Sequence, residues 1–393
     1  MNESDSVSKQ TGVPLAGALS FLVAARLVVN TGVRFTYPFL PAIARGIGVP
    51  LTQAGLLVSA RWMTGLATPA AIRLLGKGER RHRLIAAGLA MFATGAVITA
   101  ATGVFAGAMV GFILLGIGTP VFNVAAQAYL SDRTPYAVRA RYLSVLELTW
   151  AGSLLIGAPT AGWLIARFGW TAPFWLIAVF AGGALVAMRW VIEPDTGSAH
   201  SAAPKLDLDR SAVALLVIVG LYSGASEIMF VVFGAWLEDG FGLSLLALGA
   251  AGVVLGLSEL VGEGSTLVWT DRIGKRRSVA IGLGISAVAY VLLSLTNASF
   301  FAGMASMAVA LAGFEFTIVS TVPLASEVRP MARTRFLAMV TVGMGLGRAA
   351  GALVGPFLYE HFGLTANTLV SAAANVVALV LLLGWVREET PQQ

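Results

Sequence analysis

The chain has 393 residues, 57% of them hydrophobic and 12% charged, a formal net charge of +6 and no cysteine. Soluble domains carry about 25% charged residues, so the composition excludes an ordinary soluble globule and also a disordered chain. The missing cysteine excludes disulfides, thiolate metal sites and a cysteine nucleophile; what remains is a polytopic helical membrane protein.

A bilayer-crossing helix needs about 20 mostly apolar residues. Such runs recur at about 15–39, 51–75, 84–103, 105–130, 141–164, 171–191, 211–237, 243–270, 278–296, 299–325, 335–359 and 364–386, giving twelve expected spans. Pro38, Pro41, Pro50 and Pro173 are read as marking helix ends. The start, Met1-Asn2-Glu3-Ser4-Asp5, lacks a basic region and the first apolar run is too long for a signal-peptide core, so that run is expected to be retained as span 1.

In the first half, Arg26, Asn30 and Arg34 stand at i, i+4 and i+8 on one face of span 1, with Tyr37 close to it. Such a ladder is expected to line a cavity and hold substrate, or to pair with acids opposite. Arg61 falls near the middle of span 2, placed to bind an anionic group or to pair with a second-half acid. Asn123 and Gln127 are one turn apart on span 4, candidates for substrate hydrogen bonds or for helix packing. On span 5, Glu147 follows Arg139 and Arg141 and is read as part of a gate salt bridge. Farther along, Gly152-x-x-x-x-Gly157-Ala158-Pro159-x-x-Gly162 suits close helix approach and a bend. The polar stretch 193–210, EPDTGSAHSAAPKLDLDR, reads as a linker between domains 1–192 and 211–393.

In the second half, Glu227 shares a face of span 7 with Ser223. Glu259 and Glu263 are one turn apart on span 8. Two carboxylates so placed repel when both are ionised, so one of them is expected to hold a proton, and Glu259 lies nearer the midplane. Span 8 runs into Asp271-Arg272-Ile273-Gly274-Lys275-Arg276-Arg277, read as a loop whose Asp271, Arg272 and Arg276 hold one gating state. On span 10, Glu315 lies between Phe314 and Phe316 in an apolar setting, a further candidate for proton coupling beside Glu227 and Glu263. Arg348 on span 11 is expected to neutralise a second-half acid. His82, His200 and His361 all fall in expected loops, and no Ser–His or metal-ligand constellation is visible. No enzymatic activity, metal or cofactor is therefore expected.

A charge at the bilayer centre costs about 2.5–3.5 kcal/mol on insertion scales. The intramembrane charges Arg26, Arg34, Arg61, Glu147, Glu227, Glu259, Glu263, Glu315 and Arg348 must then face the protein interior or a water-filled cavity. They occupy spans 1, 2, 5, 7, 8, 10 and 11, and none of them lies on 3, 6, 9 or 12. The first half holds mostly bases and the second mostly acids. Outside the spans, every basic residue but Arg45 and Arg167 falls on the side of the N-terminus. By the positive-inside rule both termini are expected in the cytoplasm, with the chain a multi-pass protein of the cytoplasmic (inner) membrane.

The halves repeat. A shift of 194 positions aligns Gly55 with Gly249 and Gly88-Leu89 with Gly282-Leu283. It also aligns Arg139, Arg141, Leu143, Gly157-Ala158 and Phe168-Gly169 with Arg333, Arg335, Leu337, Gly351-Ala352 and Phe362-Gly363. Copies starting on the same side are parallel repeats about an axis along the membrane normal.

The Asp271–Arg277 segment resembles the D-R-x-G-R/K-R/K loop motif of the major facilitator superfamily. The span 5 segment is similar to that superfamily's glycine–proline antiporter motif, and the general texture is most similar to its twelve-helix drug:proton antiporters. The first-half copy of the loop motif, Gly76–Arg83, departs from the pattern, with Lys77 where Asp271 stands, and span 4 lacks the arginine usual in those antiporters. The resemblance implies an all-α membrane fold of two six-helix repeats, with spans 1, 4, 7 and 10 around a central cavity. It also implies secondary active transport by alternating access.

Two functions are weighed. One is proton-coupled efflux of a small amphipathic organic compound. The other is symport or uniport of an anionic or zwitterionic metabolite clamped by the span 1 and span 2 arginines. Arginines paired with Glu227 and Glu259 would favour the first, and arginines open to a cavity the second. Partners are then the substrate, protons and the lipid bilayer, with no nucleic acid, and a monomer is expected to suffice.

Overall fold

The computed structural model describes residues 15–68, 72, 80–194 and 208–386. The described residues are helical with no strand. The linker expected at 193–210, with His200, and the Gly76–Glu79 part of the degraded motif, with Lys77, fall largely or wholly outside them.

The helices group into twelve spans. Span 1 is Leu15–Arg34 continuing as Thr36–Ile47. Phe35, at the break, keeps helical angles and its N–H still reaches the Thr31 carbonyl at 2.9 Å, so the two pieces are one crossing. The 119° bend comes later, between Thr36–Ile47 and Leu51–Gly65, where Gly48 adopts φ +73° and Pro50 starts span 2. Span 1 therefore outlasts the sequence estimate. Pro38 lies in the first turn of the second piece, where a missing N–H costs little, and Pro41 is tolerated inside it.

Spans 3, 4 and 6 are Arg81–Thr102, Phe105–Arg133 and Ala172–Val191. Span 5 is built from Tyr136–Glu147, Thr149–Gly152, a π-helical turn Ser153–Gly157, and Ala158–Phe168. Span 7 is Arg210–Phe230 with Phe233–Phe241, and spans 8 to 12 are Leu245–Ile273, Lys275–Thr296, Phe300–Val328, Arg333–Phe362 and Leu364–Trp385. His82 and His361 lie in terminal helical turns rather than loops. The Asp271–Arg277 segment is likewise no loop. Span 8 runs through Ile273, span 9 starts at Lys275, and Gly274 alone turns the chain at φ +96°, a conformation that favours glycine.

The 194-position repeat carries into three dimensions. Spans 2 and 8 start at Leu51 and Leu245, and spans 3 and 9 run Arg81–Thr102 and Lys275–Thr296, in register to the residue. Both first spans of the halves break mid-way and end on a left-handed glycine, Gly48 and Gly242. Arg81 pairs with Asp132 at 2.9 Å, and its counterpart Lys275 pairs with Glu327.

Spans 3 and 4, 3 and 6, and 2 and 4 pack within the first half, and 9 and 10, 9 and 12, and 7 and 11 within the second. The halves meet where span 2 packs on span 11, span 5 on span 8, and the far end of span 1 on that of span 7. Glycine sets the approach. A Cβ at Gly55 would stand 2.6 Å from the Ala352 carbonyl, and one at Gly249 2.8 Å from the Ala158 carbonyl. Ala158 and Ala352 are themselves 194 positions apart, so the two seams are copies of one contact. Spans 6 and 12 turn large apolar side chains outward, among them Phe180, Trp190, Val380 and Trp385, as a lipid-facing surface requires. Span 7 is buried over 72% of its apolar stretch, against 28% for span 6.

The two faces differ. On the face where the described chain starts and ends, Arg276 donates to the Leu382 and Leu383 carbonyls (3.3 and 2.7 Å), and Arg329 pairs with Asp209 at 2.8 Å. No cross-half ion pair is found there among the described residues. On the opposite, distal face Arg45 pairs with Glu238 at 2.8 Å and the Thr52 hydroxyl donates to Glu360, both across the halves. Among the described residues, the polar ties between the halves at the membrane faces thus lie on the distal one.

Candidate functional site

Three groups of polar side chains lie at or beside the contact of the halves. The first is the seam between spans 1 and 5. Arg26 makes two 2.9 Å bonds to Glu147, Asn30 donates to the Thr149 hydroxyl at 3.0 Å, and Arg34 donates to the Trp150 carbonyl at 3.0 Å. The ladder is thus consumed rung by rung by span 5, next to its π-helical turn. Arg26, Asn30 and Arg34 are buried and do not line the cavity described below. Of the two readings the spacing allowed, cavity lining or pairing, the geometry has the ladder paired, with Glu147, Thr149 and the Trp150 carbonyl of span 5 as its partners. Gln127 also donates to Glu147, at 2.9 Å.

Arg34 goes further. Both of its terminal nitrogens bond the two oxygens of Glu259 on span 8, and its guanidinium stacks 4.4 Å over the Trp150 ring. This paired geometry fixes orientation as well as charge. Both side chains are buried, and the pair crosses from one half to the other.

The second group centres on Glu227. It accepts from the Tyr37 hydroxyl at 2.8 Å, the Trp62 indole at 3.0 Å and Arg348 at 3.3 Å. Tyr37 and Trp62 belong to the first half, Glu227 and Arg348 to the second. Arg348 also faces the rings of Trp62 and Phe314 at 4.9 and 5.2 Å. Arg61 touches no carboxylate directly. It donates to the Val33 carbonyl (2.7 Å), the Thr36 hydroxyl (3.1 Å) and the Tyr37 hydroxyl (3.0 Å). The break at Phe35 brings these acceptors together, and Tyr37 passes the contact on to Glu227. The arginine–acid pair considered from sequence is therefore replaced by a relay through tyrosine.

The third group lines a cavity of about 840 Å³ on the terminal side of the molecule. Gln127, Glu147, Trp150, Glu263, Asp271 and Glu315 give it polar edges, and Ile318, Val319, Val322 and Met344 an apolar wall. Glu315 is 5% exposed and makes no hydrogen bond or ion pair among the described residues. The carboxylate of half-buried Glu263 is likewise without such a bond. Glu315 packs against span 8, where a Cβ on Gly262 would stand 2.8 Å from its own.

The remaining candidates lie apart. Asn123 keeps a buried carbonyl oxygen without a partner and is not in the cavity wall. Gly157 packs on Thr31 of span 1, and Pro159 on Gly249 of span 8. Arg139 donates to the Thr134 carbonyl at 3.3 Å, while Arg141, Asp271 and Arg272 are exposed on the terminal side. Sequence reasoning did not single out Trp62, Thr149 or Trp150. Each sits in or beside an apolar run, where an indole or a lone hydroxyl adds no charge signal; adjacency to Arg61 and Glu147 was the available clue.

The chain matches the family model described as Major Facilitator Superfamily over residues 22–270 and 215–393. It is 25% identical over 406 residues to the uncharacterized MFS-type transporter YwfA of Bacillus subtilis (strain 168), covering 97% of this chain and 94% of that one. It is 23% identical to a probable sugar efflux transporter of Pasteurella multocida (strain Pm70), covering 94% and 91%. Among solved structures, a bacterial homolog of the human lysosomal transporter Spinster, in an inward-facing and occupied conformation, superposes with a TM-score of 0.75 at 14% identity over 93% of this chain and 95% of that one. With the family model spanning both halves and the repeat built into the fold, the chain belongs to the Major Facilitator Superfamily and is a multi-pass membrane transporter.

Proposed function

We propose that the protein is a proton-coupled antiporter that exports a small amphipathic organic compound across the cytoplasmic membrane, with both termini and the open cavity on the cytoplasmic side. The observation that carries this reading is the buried Arg34–Glu259 pair across the halves. An antiporter must not change state when it holds neither proton nor substrate, and a buried cross-half ion pair is such a block, because separating it strands two charges in a low-dielectric interior. A proton on Glu259 cancels the attraction and frees the halves, here 1–192 and 211–393 joined by the linker 193–210, to rock. Glu227, held by Tyr37, Trp62 and Arg348, is a second cross-half tie. Glu147, Asp271 and the neighbouring arginines border the mouth that must close when the distal face opens, while Gly157 and Pro159 give span 5 room to move.

The anion-clamp alternative lacks free cations: Arg26, Arg34 and Arg61 are all engaged. Export accords with a relative described as a probable sugar efflux transporter.

The test is a proteoliposome carrying a pH gradient and an interior pH dye, challenged in turn with lipophilic cations, neutral amphiphiles and organic anions. Proton movement on adding a lipophilic compound, lost in Glu259→Gln, supports the proposal. Transport of anions alone, without protons and lost in Arg34→Ala, overturns it.

A further inference from the structure

Each of the four arginines in the membrane interior is engaged, and none of them lines the cavity. Arg26 is held by Glu147, Arg34 by Glu259 and Arg348 by Glu227, and Arg61 is directed at Tyr37 and the span 1 break. None of the cavity-lining residues is basic. Besides the exposed Asp271, two acids on the wall are left over: Glu263 on span 8 and Glu315 on span 10, the latter more than nine-tenths buried, facing the cavity and without a bonded partner among the described residues. Glu259 and the other of the two acids are among the charges near each, and the arginines within reach, Arg34 and Arg348, are already bonded to Glu259 and Glu227, so acids outnumber bases at that spot. A buried carboxylate without a counter-charge is costly. A protein keeps one where something arrives to satisfy it.

We propose that the exported compound is an organic cation whose positive centre is taken by Glu315 and Glu263 while its apolar body lies on the Ile318–Val319–Val322 face and the Trp150 ring. This rests on the transporter reading above and adds the charge of the substrate. The cavity volume, about 840 Å³, is in the range that holds a drug-sized ligand. A neutral compound leaves Glu315 unpaired, and an anion adds repulsion to a wall that has no basic side chain.

The experiment is equilibrium dialysis of the purified full-length protein with labelled tetraphenylphosphonium and with its near-isosteric anion tetraphenylborate. Wild type is expected to bind the phosphonium at least tenfold more tightly than the borate. Glu315→Gln is expected to weaken phosphonium binding tenfold or more, and Glu315→Asp, which keeps the charge, to restore most of it. Equal binding of the two ions, or Glu315→Gln binding the phosphonium like wild type, overturns the proposal. If Glu315→Gln fails to fold, the cation-to-anion ratio in wild type alone still decides it. Phosphonium binding that depends on Glu315 without any proton movement in vesicles upholds the cation assignment and removes antiport. Proton movement driven only by a neutral compound does the reverse.

Discussion

The guanidinium of Arg34 on span 1 and the carboxylate of Glu259 on span 8 meet in a doubly hydrogen-bonded pair whose side chains are 2% and 1% exposed. Removing one partner of such a pair typically costs about 3–5 kcal/mol, whereas replacing both with apolar side chains can be neutral. Arg34→Met alone should therefore unfold at a markedly lower temperature than wild type, and Arg34→Met with Glu259→Leu should recover most of the loss. Thermal unfolding of the four proteins closes the cycle; a double variant as unstable as the sum of the singles would mean the two groups do not interact. By contrast Arg45→Ala, at the exposed distal pair with Glu238, should change stability by less than about 1 kcal/mol.

The paired seams at Gly55–Ala352 and Gly249–Ala158 leave no space for a side chain. Gly55→Val or Gly249→Val should prevent distal closure and hold the protein open on that face. The chain has no cysteine, so labels at Gln53→Cys and His361→Cys, exposed at the distal ends of spans 2 and 11, report directly. Pulsed electron spin resonance should show one longer distance in either glycine variant. An unchanged distance distribution would mean the seams are not closure contacts.

Tyr37 is the sole side chain found hydrogen-bonded to both Arg61 and Glu227 among the described residues. Tyr37→Phe keeps the ring and removes the hydroxyl, leaving both groups short of a buried partner, a loss of about 1–3 kcal/mol. Transport rate and unfolding temperature should both fall, and adding Arg61→Met to Tyr37→Phe should cost less than Arg61→Met costs alone. Strict additivity would show that the relay carries no coupling.

Much of this was legible in the sequence, because membrane burial makes charge expensive and apolar length diagnostic. The spans and the absence of mid-membrane charge from 3, 6, 9 and 12 follow from those two facts, and the 194-position repeat was visible in residue matches alone. What was hidden is partner choice. Arg26, Asn30 and Arg34 share one face, but spacing alone does not say that span 5 rather than a cavity covers it, since Thr149 and the Trp150 carbonyl are invisible in a hydropathy pattern. Arg61 could be placed at mid-membrane yet not aimed, because its acceptors are created by the helix break at Phe35. The freedom of Glu315 could not be read either: an unpaired acid and a paired one look alike until the opposite helix is in place.

The most direct test separates exchange from accumulation in Glu259→Gln. Vesicles carrying this variant should still exchange labelled for unlabelled substrate across the membrane, because the loaded carrier still rocks, but should no longer accumulate substrate against its gradient when an outward proton gradient (acidic interior) is imposed. Wild type should do both. Retention of proton-driven accumulation in Glu259→Gln at the wild-type level would contradict the account, since the carboxylate facing Arg34 would then have no part in coupling.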